Sequence, residues 1–124
     1  MSSDTITILV VDDDEFTGEL TTMILESAGY DTIFADGGPD ALEKLEANPG
    51  VRAIVSDMNM PFIDGIQLFA ELREQGYAQP FVLLTGEDAS PLKLAHPDMD
   101  AILTKDENLP ELLPEIVESV LSRN

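Results

Sequence analysis

Four positions in this 124-residue chain place a reactive side chain where a short apolar run stops. Residues 6–11 lead into Asp12, Asp13 and Asp14, residues 51–56 into Asp57, residues 80–84 into Thr85, and residues 101–104 into Lys105. Carboxylates brought to one place repel each other and raise one another's pKa unless a cation is present. A hard divalent ion such as Mg2+ resolves that conflict, because it takes oxygen ligands and usually combines one or two carboxylates with a phosphate. A carboxylate beside Mg2+ could attack phosphorus and form an aspartyl phosphate. In that chemistry Lys105 would neutralise one phosphoryl oxygen, the Thr85 hydroxyl would donate to another, and the small Gly86 would leave the group room. Taken singly, each residue has a plainer account. Asp57 caps the turn after its strand, and Asp12 and Asp13 cap the helix that follows them.

The elements that hold these residues decide between the two accounts. Residues 6–11 are β-branched and almost wholly apolar, as in a strand covered on both faces. Phe16, Leu20, Met23 and Ile24 then recur at helical spacing until Gly29. Residues 31–35 form a second strand, Gly37, Gly38 and Pro39 break it, and a helix runs from Asp40 to the stop at Asn48-Pro49-Gly50. A third strand covers 51–56. Ile66, Phe69, Ala70 and Leu72 mark a third helix that closes near Gly76, and 80–84 is a fourth strand. Pro91 and Pro97 leave space only for a short helix over 89–95. Strand 101–104 and an apolar-faced segment 109–121 complete the chain. Pro110 suits a first turn, whereas Pro114 predicts that regular helix begins only near Leu113.

Five strands alternating with helices through short loops predict a doubly wound α/β parallel sheet. Ligands of such sheets bind beyond the carboxyl ends of the strands. That edge is where Asp12, Asp13, Asp57, Thr85 and Lys105 would meet.

The chain carries 25 acids against 6 bases, for a formal charge of -19. Phosphates would be repelled along most of such a surface, which disfavours nucleic acid and anionic membrane and favours a cation or a basic protein surface. Cysteine is absent, so thiolate metal sites and disulfides are excluded. No run reaches membrane-spanning length and residues 1–4 lack a signal-peptide pattern, so the default expectation is a cytoplasmic protein. One composition regime without repeats or linkers predicts a single domain over 1–124 with no effector domain.

The blocks Val10-Val11-Asp12-Asp13-Asp14, Val55-Ser56-Asp57-Met58-Asn59-Met60-Pro61 with Asp64-Gly65, Leu83-Leu84-Thr85-Gly86 and Leu103-Thr104-Lys105 have a common order and spacing. Together they resemble the response-regulator receiver domain of two-component signalling over nearly the whole length. The resemblance implies a flavodoxin-like sheet of order 2-1-3-4-5 and a phosphorelay switch. Asp57 matches the phosphoacceptor. Asp12, Asp13, Asp57 and the Asn59 backbone carbonyl match the ligands of Mg2+, with Mn2+ as the alternative ion. Thr85, Gly86 and Lys105 match the groups that contact the phosphoryl group. Asn59 and Glu87 occupy the positions that tune its lifetime, and two polar residues there imply a short to moderate one. The implied donor is a histidine kinase or histidine phosphotransfer protein, which in this family docks on the first helix. The implied output is contact with a downstream protein target.

Three departures concern output. The position of the family's inward-turning ring is Ile102, the usual Lys-Pro is Lys105-Asp106, and the fourth helix is short. Asp106 is expected to set a negative charge beside the Lys105 amine. Asp98 and Asp100 read as a solvated turn, and His96 as a surface residue. Two rival functions stay open: a receiver-like interaction module that works without phosphorylation, and a Mg2+-dependent phosphatase of the haloacid dehalogenase type. The phosphatase would need Thr or Val where Phe16 stands. A calcium loop starting at Asp12 fails outright, since Phe16 and Met23 fall where ligands are required.

Overall fold

The computed structural model describes residues 5–122. Five parallel strands, β1 (Thr7–Val11), β2 (Asp31–Ala35), β3 (Val51–Asp57), β4 (Phe81–Thr85) and β5 (Ala101–Thr104), form one sheet in the order β2-β1-β3-β4-β5. They alternate with helices α1 (Glu15–Ser27), α2 (Gly38–Ala47), α3 (Gly65–Glu74), α4 (Ser90–Ala95) and α5 (Leu109–Ser122). The expected topology is therefore the observed one.

Period-two alternation explains why the strands read as continuous apolar runs. Leu9, Val11, Ile54, Phe81 and Leu83 point to one core with Ala41 and Leu45 of α2 and Leu68, Phe69 and Leu72 of α3. Ile8, Val10, Val55, Val82 and Leu84 point to the other, with Leu25 of α1 and Leu113, Val117 and Val120 of α5. Both faces of the sheet are thus covered. Gly29 and Gly76 stop α1 and α3 in the left-handed region, at φ 99° and 93°. Behind them the Tyr30 and Tyr77 amides donate back to the Leu25 and Leu72 carbonyls, closing the last turns.

Proline placement corrects two expected boundaries. α2 starts at Gly38, not Asp40, because Pro39 sits in its first turn, where no intrahelical N–H is required. α5 is regular from Leu109 with Pro114 inside it. The bond that Pro114 forfeits is to the carbonyl of Pro110, an exposed first-turn residue, while the Glu111 and Leu112 amides both donate to the Asn108 carbonyl. Asp100 is a second kind of correction. Instead of a solvated turn acid, its carboxylate accepts from the Phe81 amide at 2.8 Å and from Arg73 at 3.2 Å, pinning the start of β4. His96, as expected, lies at the surface end of α4 and is partly exposed.

Candidate functional site

β1, β3, β4 and β5 end side by side, and their terminal residues build the site. In register, Val11 pairs with Ser56, Asp57 with Leu84, and Thr85 with Thr104. Asp12 follows β1 and is buried; its Oδ1 accepts from the Asp14 amide at 2.9 Å and its Oδ2 from the Thr17 hydroxyl at 2.7 Å. The overlying helix is close because residue 18 is glycine. A Cβ there would collide with the Phe34 ring and lie 3.3 Å from the Asp12 Cβ. Asp14 accepts from the Phe16 and Thr17 amides and caps α1, so the capping role falls to Asp14 and leaves Asp13 exposed.

Asp57 ends β3 and is buried. Its backbone is fixed on three sides. The Ser56 hydroxyl donates to the Asp57 carbonyl at 2.9 Å, the Met58 amide donates to Leu84, and the Gly65 amide donates to Met58. Gly65 must be glycine, since a Cβ would stand 2.7 Å from the Asp57 carbonyl oxygen. Asp64 beside it forms a capping box with Gln67, which anchors the start of α3 against the site.

One carboxylate oxygen from each of Asp12, Asp13 and Asp57 lies within 4.8 Å of the others, the only such acid, histidine or cysteine group among the described residues. The Lys105 ammonium enters the same space, 2.7 Å from Asp57 Oδ1 and 3.6 Å from Asp12 Oδ2. It is aimed there by its own amide, which donates to the Thr85 carbonyl at 2.7 Å. Burial pushes the Asp57 carboxyl above its usual range. Lys105 opposes that shift, while Asp12 and Asp13 add to it. An all-oxygen, carboxylate-rich set opening to water at Asp13 suits a hard divalent cation such as Mg2+.

Thr85 is buried, and its hydroxyl accepts from the Glu87 amide at 3.1 Å. Gly86 faces open space. Asn59 and Glu87 are exposed in the loops after β3 and β4. Ile102 packs in the α2/α3 core at 3% exposure and is not a surface side chain. Asp106 departs from expectation. Its carboxylate accepts from the Asn108 amide and shapes the turn into α5, and the amine of Lys105 is paired with Asp57 and Asp12. Thr17 and Thr104 were not legible as site residues. The first tethers Asp12; the second accepts from the Ala89 amide at 3.2 Å, tying β5 to the start of α4. The only sequence signal for either is a hydroxyl one helical turn, or one strand partner, from a residue of the site.

Along α1, Phe16, Leu20 and Met23 are exposed; the core face of that helix is Gly18, Thr21 and Leu25. Between α1 and α5 runs an open apolar groove of 510 Å3, walled by Leu20, Met23, Ile24, Leu109 and Pro110, with Lys105 and Asp106 also in its lining.

A doubly wound sheet with an acid triad and a lysine at its carboxyl edge defines the class: α/β domains whose site lies beyond the strand ends. The family model of the response regulator receiver domain matches residues 8–117, and the chain belongs to that family. Response regulator MprA of Mycobacterium sp. (strain KMS) is 36% identical over 116 residues, covering 94% of this chain and 47% of MprA. The alkaline phosphatase synthesis transcriptional regulatory protein PhoP of Bacillus subtilis (strain 168) is 43% identical over 81 residues, 65% of this chain and 33% of PhoP. The chain therefore spans about a third to a half of these relatives' length. Response regulator protein TrrA of Thermotoga maritima, solved in complex with Mg2+-BeF, superposes with a TM-score of 0.83 at 28% identity, covering 94% of this chain and 99% of that one. The receiver domain of Francisella response regulator 1452 gives 0.83 at 30% identity, with 96% and 98% covered. Among the described residues no helix is long and apolar enough to cross a membrane.

Proposed function

We propose that the chain is an aspartyl-phosphate switch in which Asp57 accepts the phosphoryl group of a phosphohistidine. The observation that carries this is the junction of Lys105 and Asp57 at 2.7 Å inside the Asp12-Asp13-Asp57 cluster. An Asp57 carboxylate oxygen attacks phosphorus in line, the phosphorus–nitrogen bond breaks, and the electron pair returns to the imidazole. Asp12, Asp13, Asp57 and the Asn59 carbonyl are the residues that would hold Mg2+, which when bound supplies charge to the phosphoryl oxygens. Lys105 turns from Asp57 to a phosphoryl oxygen, and the Thr85 hydroxyl leaves the Glu87 amide to donate to another. Gly86 leaves that space open. Exposed Asn59 and Glu87 can orient an attacking water, giving a phosphoryl group of short to moderate lifetime.

The donor we infer is a histidine kinase or histidine phosphotransfer protein, seated on the exposed α1 stripe and the α1/α5 groove that Lys105 helps to line. Within the cytoplasm the output is a protein contact and not a direct nucleic-acid contact by this domain, given the charge of -19. Residues 1–124 act as a single receiver domain, a switch that processes only its own Asp57 and not an enzyme on other substrates.

Incubation with Mg2+ and acetyl phosphate, or with beryllofluoride, tests the proposal, with Asp57→Asn as control. A mass gain of one phosphoryl group in the wild type and none in the variant is expected. No gain in the wild type would leave the interaction module that needs no phosphorylation as the better account. An equal gain in the variant would move the acceptor elsewhere.

A further inference from the structure

Phe62 stands on the other side of the Asp57 loop from the α1/α5 groove, and the fold gives no return for it. Its backbone lies in the left-handed region at φ 74°, the only non-glycine residue there among those described. The Ile63 amide donates to the Pro61 carbonyl at 2.9 Å, which closes a three-residue turn with Phe62 at its apex. A β-carbon is disfavoured in that conformation, and glycine or asparagine would occupy it more easily. Phe62 is nevertheless 91% exposed and belongs to neither core. Its neighbour holds the turn in place: Ile63 packs against the α2/α3 core and fills the space that a side chain on Gly38 would need. The loop is anchored, and the ring is held outward by it.

The surface under the ring is specific in charge. Phe62 and Pro61 form one wall of an open cleft of 380 Å3, and Asp36, Asp40 and Glu43 form the other. Lys44 pairs with Asp40 at 3.0 Å, and Asp40 also accepts from the Asp36 amide. Three carboxylates therefore meet one amine, while Asp36 and Glu43 are exposed. An aromatic face beside surplus carboxylates is the arrangement that receives a guanidinium or ammonium group, the ring by cation–π attraction and the acids by ion pairing.

We propose that this cleft is a second docking surface, and that its occupant is an arginine- or lysine-bearing polypeptide segment whose cationic side chain lies over Phe62 between Asp36 and Glu43. The surface goes beyond the phosphoryl switch and does not depend on whether Asp57 takes a phosphoryl group.

A blocked peptide carrying two arginines among glycines and alanines tests this by amide NMR on the full chain at about physiological salt, where distant surface charges are screened. The citrulline version of the same peptide keeps the shape and removes the charge. Shifts confined to residues 36–43 and 61–63, absent with citrulline, are expected. Phe62→Asn keeps a residue suited to the turn and should weaken binding about two- to fivefold, the loss of one exposed cation–π contact. Phe62→Gly serves the same purpose should the asparagine variant fold poorly. Asp36→Asn combined with Glu43→Gln should weaken binding further, while Glu115→Gln on α5 should leave it unchanged. Wild-type affinity in both Phe62 variants, shifts spread over the acidic surface, no shift at all, or a loss in Glu115→Gln equal to that at Asp36 and Glu43 would each overturn the proposal.

Discussion

Asp57→Asn should make the metal-free protein more stable. At an effective dielectric constant of 20, two unit charges within 4.8 Å repel by roughly 3.5 kcal/mol or more, and a pair at 2.7 Å attracts by roughly 6 kcal/mol. Asp12 at full strength and Asp13, screened by its exposure, thus offset most of what Lys105 returns to Asp57. What remains is the desolvation of a buried carboxylate, the largest cause of its raised pKa. Replacing that charge with an isosteric amide removes the desolvation cost while Lys105 keeps Asp12 at 3.6 Å as its partner, and should stabilise the fold by about 1–2 kcal/mol. For a chain of this size that is a rise of roughly 3–10 °C in the thermal midpoint. The sign with pH follows from linkage. A raised carboxyl pKa means that the native state binds the proton more tightly than the unfolded chain, so the wild type loses stability as pH climbs from about 3.9 through the raised native value. The advantage of the variant should therefore be full above that native pKa and vanish below about pH 4. Mg2+ should shrink it as well: at ten times its dissociation constant an ion bound only by the native state adds about 1.4 kcal/mol, and the wild type should gain more than the variant. Calorimetry in EDTA and in Mg2+, near neutrality and near pH 4, measures all four cases. A variant less stable than wild type at neutral pH in EDTA, or an equal advantage at both pH values, refutes this balance of forces.

Three further substitutions probe the supports of the site. Gly65→Ala should cost about 1–3 kcal/mol by forcing a Cβ onto the Asp57 carbonyl, and should slow phosphorylation by acetyl phosphate where a simple surface helix change would not. Asp100→Ala should cost about 1–2 kcal/mol in urea unfolding, mostly from the Phe81 amide losing its acceptor, with Asp57 phosphorylation unchanged. Thr104→Val keeps the shape of the side chain but removes the acceptor of the Ala89 amide. Hydrogen exchange should rise over 86–90 at a global loss of about 1 kcal/mol.

Much of the site was legible because its residues stand where apolar runs stop, and a parallel sheet converts strand ends into neighbours. Asp12, Asp57, Thr85 and Lys105 could be placed on one edge from that rule alone. The supports were less legible, since they depend on distances between elements that periodicity does not encode. Gly18 reads as an ordinary helical glycine until the Phe34 ring is seen filling its face, and Asp100 reads as a turn acid until β4 is seen to start beneath it. Proline was misleading at Pro114 for a related reason: the lost bond involves an exposed first-turn residue, where water can replace it.

The departures at Ile102 and Asp106 bear on how a change at Asp57 travels. With Ile102 buried, no ring at that position can swing between surface and core to report on Thr85. The structure offers a different link. The loop after β4 is held at two points, by the Glu87 amide on the Thr85 hydroxyl and by the Ala89 amide on the Thr104 hydroxyl, and Thr85 and Thr104 are register partners. If Thr85 turns toward a phosphoryl group, the first hold is released and the second alone sets where residues 86–89 can go. A hydroxyl on β5 then limits the movement, and the short α4, which has no fully buried residue and meets the α2/α3 core through Leu92, is the neighbouring element with the least packing to hold it.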